Sequence, residues 1–214
     1  MLLTFAQSHT AELISGALLL IMGVQMLVVI WRKSITIDEI VMIPSAYYHL
    51  VDGDFQLVNE HPPLSKLLAA IPLLFIQPVE VPNDPTKSVT AEDKFVRQYA
   101  FWDKNGSRFV AIGFWARVPM VLLTLVTGVL IFIFARWLFG SRTAVLAVAL
   151  FSLEPTFLGH GRVVQTDAPA AFGYLLFFMA LYVYSRKQTW RVAFGLGAAA
   201  ALAILAKYSM LLVG

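Results

Sequence analysis

Val118–Trp137 reads VPMVLLTLVTGVLIFIFARW, with no ionisable residue before Arg136. A helix needs roughly 20 mostly apolar residues to cross about 30 Å of hydrocarbon, so this stretch reads as a membrane span. Working outward from it, Leu13–Trp31, Ala168–Ser185 and Val192–Gly214 read the same way. A fifth span, Thr143–Gly161, carries Glu154 and Pro155 in its second half. Its end is expected to kink, or to open onto a cavity where water or protein satisfies the freed backbone groups. The first span has no basic region before it and no small-residue cleavage pattern after it, so it reads as a retained anchor rather than a signal peptide.

Composition agrees with that reading. The 214 residues are 59% hydrophobic and 14% charged, with mean hydropathy +0.74, whereas soluble domains carry about 25% charged residues. The chain is therefore expected to be an all-α polytopic membrane protein. Its formal charge of +3 is small and its Lys and Arg residues are scattered, which excludes the basic footprint of a nucleic-acid partner. Membrane lipids are the partners that the composition itself implies. The absence of cysteine removes disulfides and thiolate metal sites. There are no internal repeats.

Positive charge in short loops favours the cytoplasmic side. Arg136 and Arg142 flank one turn between spans, and Arg186, Lys187 and Arg191 flank another, while the intervening 159–166 loop carries only Arg162. Both Arg-rich turns are thus expected inside, which places 32–117 and 162–167 outside and the N-terminus inside. Arg32-Lys33 opposes this assignment, because it falls on the outer side with no Lys or Arg in the stretch before it.

The outer loop, 32–117, divides by composition. Ile40, Ile43, Tyr47 and Leu50 have helical spacing, which suits a short interfacial helix over 38–50. Pro44 interrupts it, so the expectation is one turn opened by Asp38 and then a second helix with Pro44 near its first position. Residues 51–59, with Asp52-Gly53-Asp54, read as a turn. Pro62–Ile76 reads as a re-entrant or interfacial helix, and the polar segment 77–108 as a solvated loop decorating the surface.

Ionisable groups beside a bilayer are costly unless solvated, paired or at work, and several gather on the predicted outer side. Asp38 follows the first span and Asp167 opens the fourth, so both can face one cavity. Paired carboxylates can divide acid–base labour when their environments separate their pKa values. The alternative is that both are helix N-caps, for which Asp is favoured. His61-Pro62-Pro63 presets a helix start whose free amides, with His61 and Lys66, could meet an anion. The alternative there is a surface histidine and a snorkelling lysine. Lys207 interrupts the last apolar run, where an ammonium must snorkel or find an anion.

Asp38-Glu39, Glu60-His61-Pro62-Pro63-Leu64-Ser65-Lys66-Leu67-Leu68, Ala116-Arg117-Val118-Pro119, His160-Gly161-Arg162 with Thr166-Asp167, and Ala206-Lys207-Tyr208-Ser209 follow one another in the chain. In that order they resemble the N-terminal part of phospholipid-carrier-dependent glycosyltransferases. These form the bacterial branch of the protein O-mannosyltransferase family and are related to the lipid A aminoarabinose transferases. The resemblance covers nearly the whole chain except 77–108.

The resemblance implies a C-type glycosyltransferase helical bundle with interfacial helices in its first outer loop. The reaction it implies is transfer of a hexose or pentose from a polyprenyl-phosphate donor to a protein, lipid or glycan acceptor. By motif position, Asp38 would be the base, Glu39 its neighbour in the pair and Asp167 the second cavity carboxylate. His61 and Lys207 would meet the carrier phosphate, with Lys66 and Arg162 as further cations on that side. Glu60 matches a glutamate that can bind a divalent metal in those enzymes. The implied location is the bacterial inner membrane, multi-pass, with an extracytoplasmic active face. The family continues through more spans, and this chain stops at Gly214 inside an apolar run, so a truncated chain that is inactive alone is expected. Two other classes compete with this reading. A secondary transporter would place its ionisable residues near the midplane and in repeats, and a non-catalytic scaffold would leave the outer motifs unexplained.

Overall fold

A computed structural model describes residues 2–81 and 91–213 of the protein, and among them every regular element is helical. The chain is an all-α polytopic membrane protein. α1 (Leu2–Arg32), α6 (Phe109–Phe139) and α7 (Ser141–Leu153) pack together, and α9 (Asp167–Arg186) joins α6 to α10 (Trp190–Ala206). Among the described residues three stretches are long and apolar enough to cross a membrane: His9–Arg32, Phe95–Phe139 and Asp167–Arg186. α7 and α10 are apolar but shorter, at 13 and 17 residues. Leu13, Leu20, Leu122, Leu146, Leu150 and Phe194 point outward from these helices. Apolar side chains on outward faces are stable where the surroundings are hydrocarbon.

Contacts at the helix ends give the directions. Arg136 bonds Glu12 at 2.7 Å, and Arg117 bonds the Lys33 carbonyl at 2.9 Å, so α1 and α6 are antiparallel. Phe134 meets Tyr182 late in both α6 and α9, which makes those two parallel. Asp167 and Lys207 meet at the opening of α9 and the close of α10. Gly173 lets that pair close tightly, because a Cβ on it would lie 2.8 Å from Ala203 Cα. One end of the bundle thus gathers Lys33, Glu39, Arg117, Asp167 and Lys207. Arg136, Arg142, Arg186, Lys187 and Arg191 sit at the other.

The fifth predicted span divides where its sequence suggested. α7 ends at Leu153, and Glu154 caps α8 (Pro155–His160) by accepting the Phe157 amide at 2.9 Å. The last predicted span, 192–214, differs. α10 stops at Ala206, Lys207 is extended, and Tyr208–Val213 form a 3-10 turn.

The segment between α1 and α6 departs further from expectation. α2 (Ile37–Val51) is one continuous helix with Pro44 inside it, not a turn followed by a second helix. Proline has no N–H to donate to the carbonyl four residues back. That carbonyl, Ile40 O, accepts Trp102 Nε1 instead, at 2.7 Å, and Gln98 Nε2 donates to Val41 O beside it at 3.1 Å. Both donors belong to α5 (Ala91–Asn105), which falls in the segment expected to be a solvated loop. α5 buries Arg97, Gln98, Phe101, Trp102 and Asn105, spaced along one helical face, mostly against α2. Polar composition hid this face, because two of its five members are apolar and the others satisfy backbone and carboxylate partners. The rest of that expectation, residues 82–90, lies outside the described residues. Pro62–Ile76 is likewise not one helix: α3 (Leu64–Ala70) and α4 (Leu73–Ile76) meet at Ile71-Pro72.

Candidate functional site

The Asp38-Glu39 pair splits its two carboxylates between two environments. α2 is capped by Thr36, and the third helical residue, Glu39, turns back so that its carboxylate accepts the Thr36 amide at 2.7 Å. This places Glu39 inward with no exposed surface. Arg117 grips it with two parallel bonds, Nε to Oε1 at 2.8 Å and Nη2 to Oε2 at 2.6 Å. The Val164 amide adds a third direction at 3.0 Å. Burial alone would push the Glu39 carboxyl up, but Arg117 and the two amides together hold it below its ordinary value. Such bidentate, charge-assisted contacts are both strong and directional. Arg117 also takes the carbonyls of Lys33 and Ser34, so one ion pair ties the end of α1, the start of α2, α6 and the 161–166 loop.

One helical position earlier, Asp38 faces outward into a cleft of about 550 Å³. Its polar lining is Asp38, Glu60, His61, His160, Gln165, Thr166, Asp167 and Lys207, over an apolar wall of Val41, Met42 and Val58. Gln165 Nε2 donates to Asp38 Oδ2 at 2.9 Å, while Gln165 Oε1 lies 3.2 Å from His160 Nδ1. The amide therefore orients the Asp38 carboxylate. Across the cleft Lys207 Nζ bonds Asp167 Oδ1 at 2.7 Å, and both side chains are partly exposed. Neither aspartate is an N-cap: Thr36 and Thr166 hold those positions, and the aspartates sit in the first turns, where a negative charge favours the helix dipole.

Of the candidate residues, Asp38, Glu60, His61, Asp167 and Lys207 line this cleft, and Glu39, Lys66 and Arg162 do not. Lys66 is 1% exposed and donates to Val58 O at 2.7 Å. Val58 has φ 53°, a backbone that a β-branched residue rarely adopts. Lys66 therefore braces the turn that forms one wall of the cleft, where a phosphate ligand or a snorkelling side chain was expected. Its charge and, first, burial itself push the nearby His49 down to about 4. Arg162 is half-buried and donates to Leu158 O at 2.8 Å, with burial and then Arg117 lowering its pKa. The phosphate site expected at the helix start after Pro63 has little to draw on, since α3 is only seven residues long.

The arrangement suits proton transfer beside an anionic group: an oriented, solvated carboxylate faces a lysine across a cavity with room for a small polar substrate. Among the described residues no three His, Cys, Asp or Glu side chains converge to hold an ion. Reasoning from the sequence named His160 and Arg117 only as members of motifs, and overlooked Gln165 as the contact of Asp38, His160 as the contact of Gln165 and Arg117 as the partner of Glu39.

Fold and cleft define a polytopic helical membrane protein with a cavity lined by carboxylates, histidines and a lysine at one end of its bundle. Residues 109–214, just under half of the chain, match the dolichyl-phosphate-mannose-protein mannosyltransferase family, and the chain resembles that family. This likeness points to a membrane glycosyltransferase with a lipid-linked sugar donor. No curated relative and no solved structure matches the chain.

Proposed function

We propose that the protein transfers a sugar from a polyprenyl-phosphate donor to an acceptor hydroxyl on the extracytoplasmic face of the bacterial inner membrane. The observation that carries the reading is the cleft in which Asp38, held by Gln165, faces Asp167 and Lys207. The acceptor oxygen attacks the anomeric carbon as its proton passes to Asp38. The bond from that carbon to the phosphate oxygen breaks, and polyprenyl phosphate leaves with inversion. Lys207 and His61 meet the charge developing on that phosphate, the kind of electrostatic support that lowers such barriers. Lys207 is held by Asp167 before the carrier arrives, so the phosphate competes with an exposed ion pair, which is a weak competitor. The test is transfer of label from a polyprenyl-phosphate sugar in membranes bearing the full-length enzyme. Absence of transfer to every class of acceptor, with the carrier bound, would overturn the reading.

The role of Lys207 can be measured apart from turnover. Lys207→Met is expected to keep the side-chain length but weaken polyprenyl-phosphate binding about tenfold or more, the loss of one charge-assisted contact. Lys207→Arg should retain part of the affinity, since the charge survives but the compact donor does not. Equal carrier binding by wild type and the Met variant at low salt would make Lys207 an interfacial anchor only.

The face of the membrane is tested by labelling. Gly106→Cys, which has open space around it, should react with an impermeant reagent from outside the cell. Ser141→Cys, in the Arg-rich turn, should react only from the cytoplasm. The reverse pattern would put the cleft on the wrong side for an extracytoplasmic acceptor.

A further inference from the structure

We propose that the cleft between the end of α1 and the start of α6 binds the phosphodiester headgroup of an anionic membrane phospholipid. The cavity, about 120 Å³, is lined by Trp31, Arg32, Lys33, Ser34, Gly113 and Phe114 among others. It shares no residue with the cleft around Asp38. Arg32 and Lys33 are exposed, and neither side chain has a hydrogen-bond or ion-pair partner among the described residues. Arg117 also borders the cavity, but its nitrogens are engaged by Glu39 and the Lys33 and Ser34 carbonyls, so it contributes field rather than donors.

Depth in the membrane comes from the aromatics. Trp31 packs edge-on against Phe114 at 5.5 Å, Phe114 against Trp115 at 5.4 Å, and both tryptophans face outward. Tryptophans gather where acyl chains give way to headgroups, so Arg32 and Lys33 stand at phosphate level. Exposed Val110 continues the wall with an apolar surface for an acyl chain. These two cations lie at the opposite end of the bundle from the Arg-rich turns, and so are the basic residues that the loop-charge pattern leaves without a purpose. A bound anionic headgroup supplies one. It would brace the joint where Arg117 holds the carbonyls of Lys33 and Ser34.

The proposal stands independently of the transferase reading and is tested without turnover. Purified protein in neutral detergent is titrated with phosphatidylglycerol, phosphatidylcholine or glycerol phosphate, and thermal melting and lipid retention are followed. Phosphatidylglycerol should raise the melting temperature and be retained. Arg32→Gln with Lys33→Gln should weaken its binding by roughly fivefold per charge removed. Arg186→Gln with Lys187→Gln, at the other end of the bundle, should leave it unchanged. Unaltered phosphatidylglycerol binding by the Arg32/Lys33 variant, or equal stabilisation by phosphatidylcholine, would overturn the proposal. Equal stabilisation by glycerol phosphate would also overturn it, as a site for soluble anions.

Discussion

In the full-length enzyme Asp38→Asn is expected to slow sugar transfer by about 10²–10⁴-fold, the usual consequence of losing a general base, while carrier binding stays near wild type. Asp38 is exposed and its contact is the Gln165 amide, which an asparagine oxygen also accepts. Folding should therefore survive the change, and the loss should fall on turnover. The assay is initial rate with a labelled polyprenyl-phosphate sugar, alongside carrier binding on the same preparation. Near-normal turnover by the Asn variant would reduce Asp38 to a helix-dipole partner and move the base elsewhere in the cleft.

Arg117→Met should be the most destabilising single change at this end of the bundle. It leaves the Glu39 carboxylate with no exposed surface and no cation, and breaking one side of a buried pair costs roughly 3–5 kcal/mol. Glu39→Gln combined with Arg117→Met should recover part of the loss, because no charge is left stranded and the amide oxygen still accepts one of the Thr36 and Val164 amides, which bond different oxygens of the carboxylate. The pH dependence follows from the same pair. A carboxyl whose pKa is lowered by folding stabilises the protein above its ordinary value of 4.5, and that contribution fades as the pH falls through the lowered folded value. In Arg117→Met only burial and the amides remain, and the carboxyl can neutralise by taking a proton. The gap between wild type and variant should thus narrow toward acid. Thermal melting in detergent across that range reads both effects. An Arg117→Met variant as stable as wild type would remove the pair from its place as the clamp.

Both experiments probe adjacent residues, Asp38 and Glu39, which the sequence presents as an undivided acidic pair. Their separation into a cleft carboxylate and a buried clamp comes from helix geometry, since successive positions turn by about 100°, and from Arg117, 78 residues away. The same distance in sequence hid Gln165. It stands 127 residues from the carboxylate that it orients, and nothing in its own neighbourhood distinguishes it from a solvated loop residue. Lys66 shows the converse. Its place beside His61 suggested an anion ligand, but the left-handed turn at Val58 offers a buried carbonyl that claims the ammonium first.

By itself the sequence determined the membrane class, the long apolar helices at three of its five expected spans, the break at Glu154-Pro155 and the clustering of Asp38, His61, Asp167 and Lys207 toward one side. Each of these depends on hydropathy, helix length or local proline geometry, which consecutive residues set among themselves. Only the tertiary structure decided that α2 runs unbroken through Pro44, that residues 91–105 form a helix with a buried face, and which of two neighbouring carboxylates faces the cleft. Those outcomes turn on orphaned carbonyls and buried charges finding partners: Trp102 for Ile40 and Arg117 for Glu39. A lone proline in a helix or a lone charge in a core is unfavourable where it stands. It becomes stable when packing brings the missing donor to it from another part of the chain.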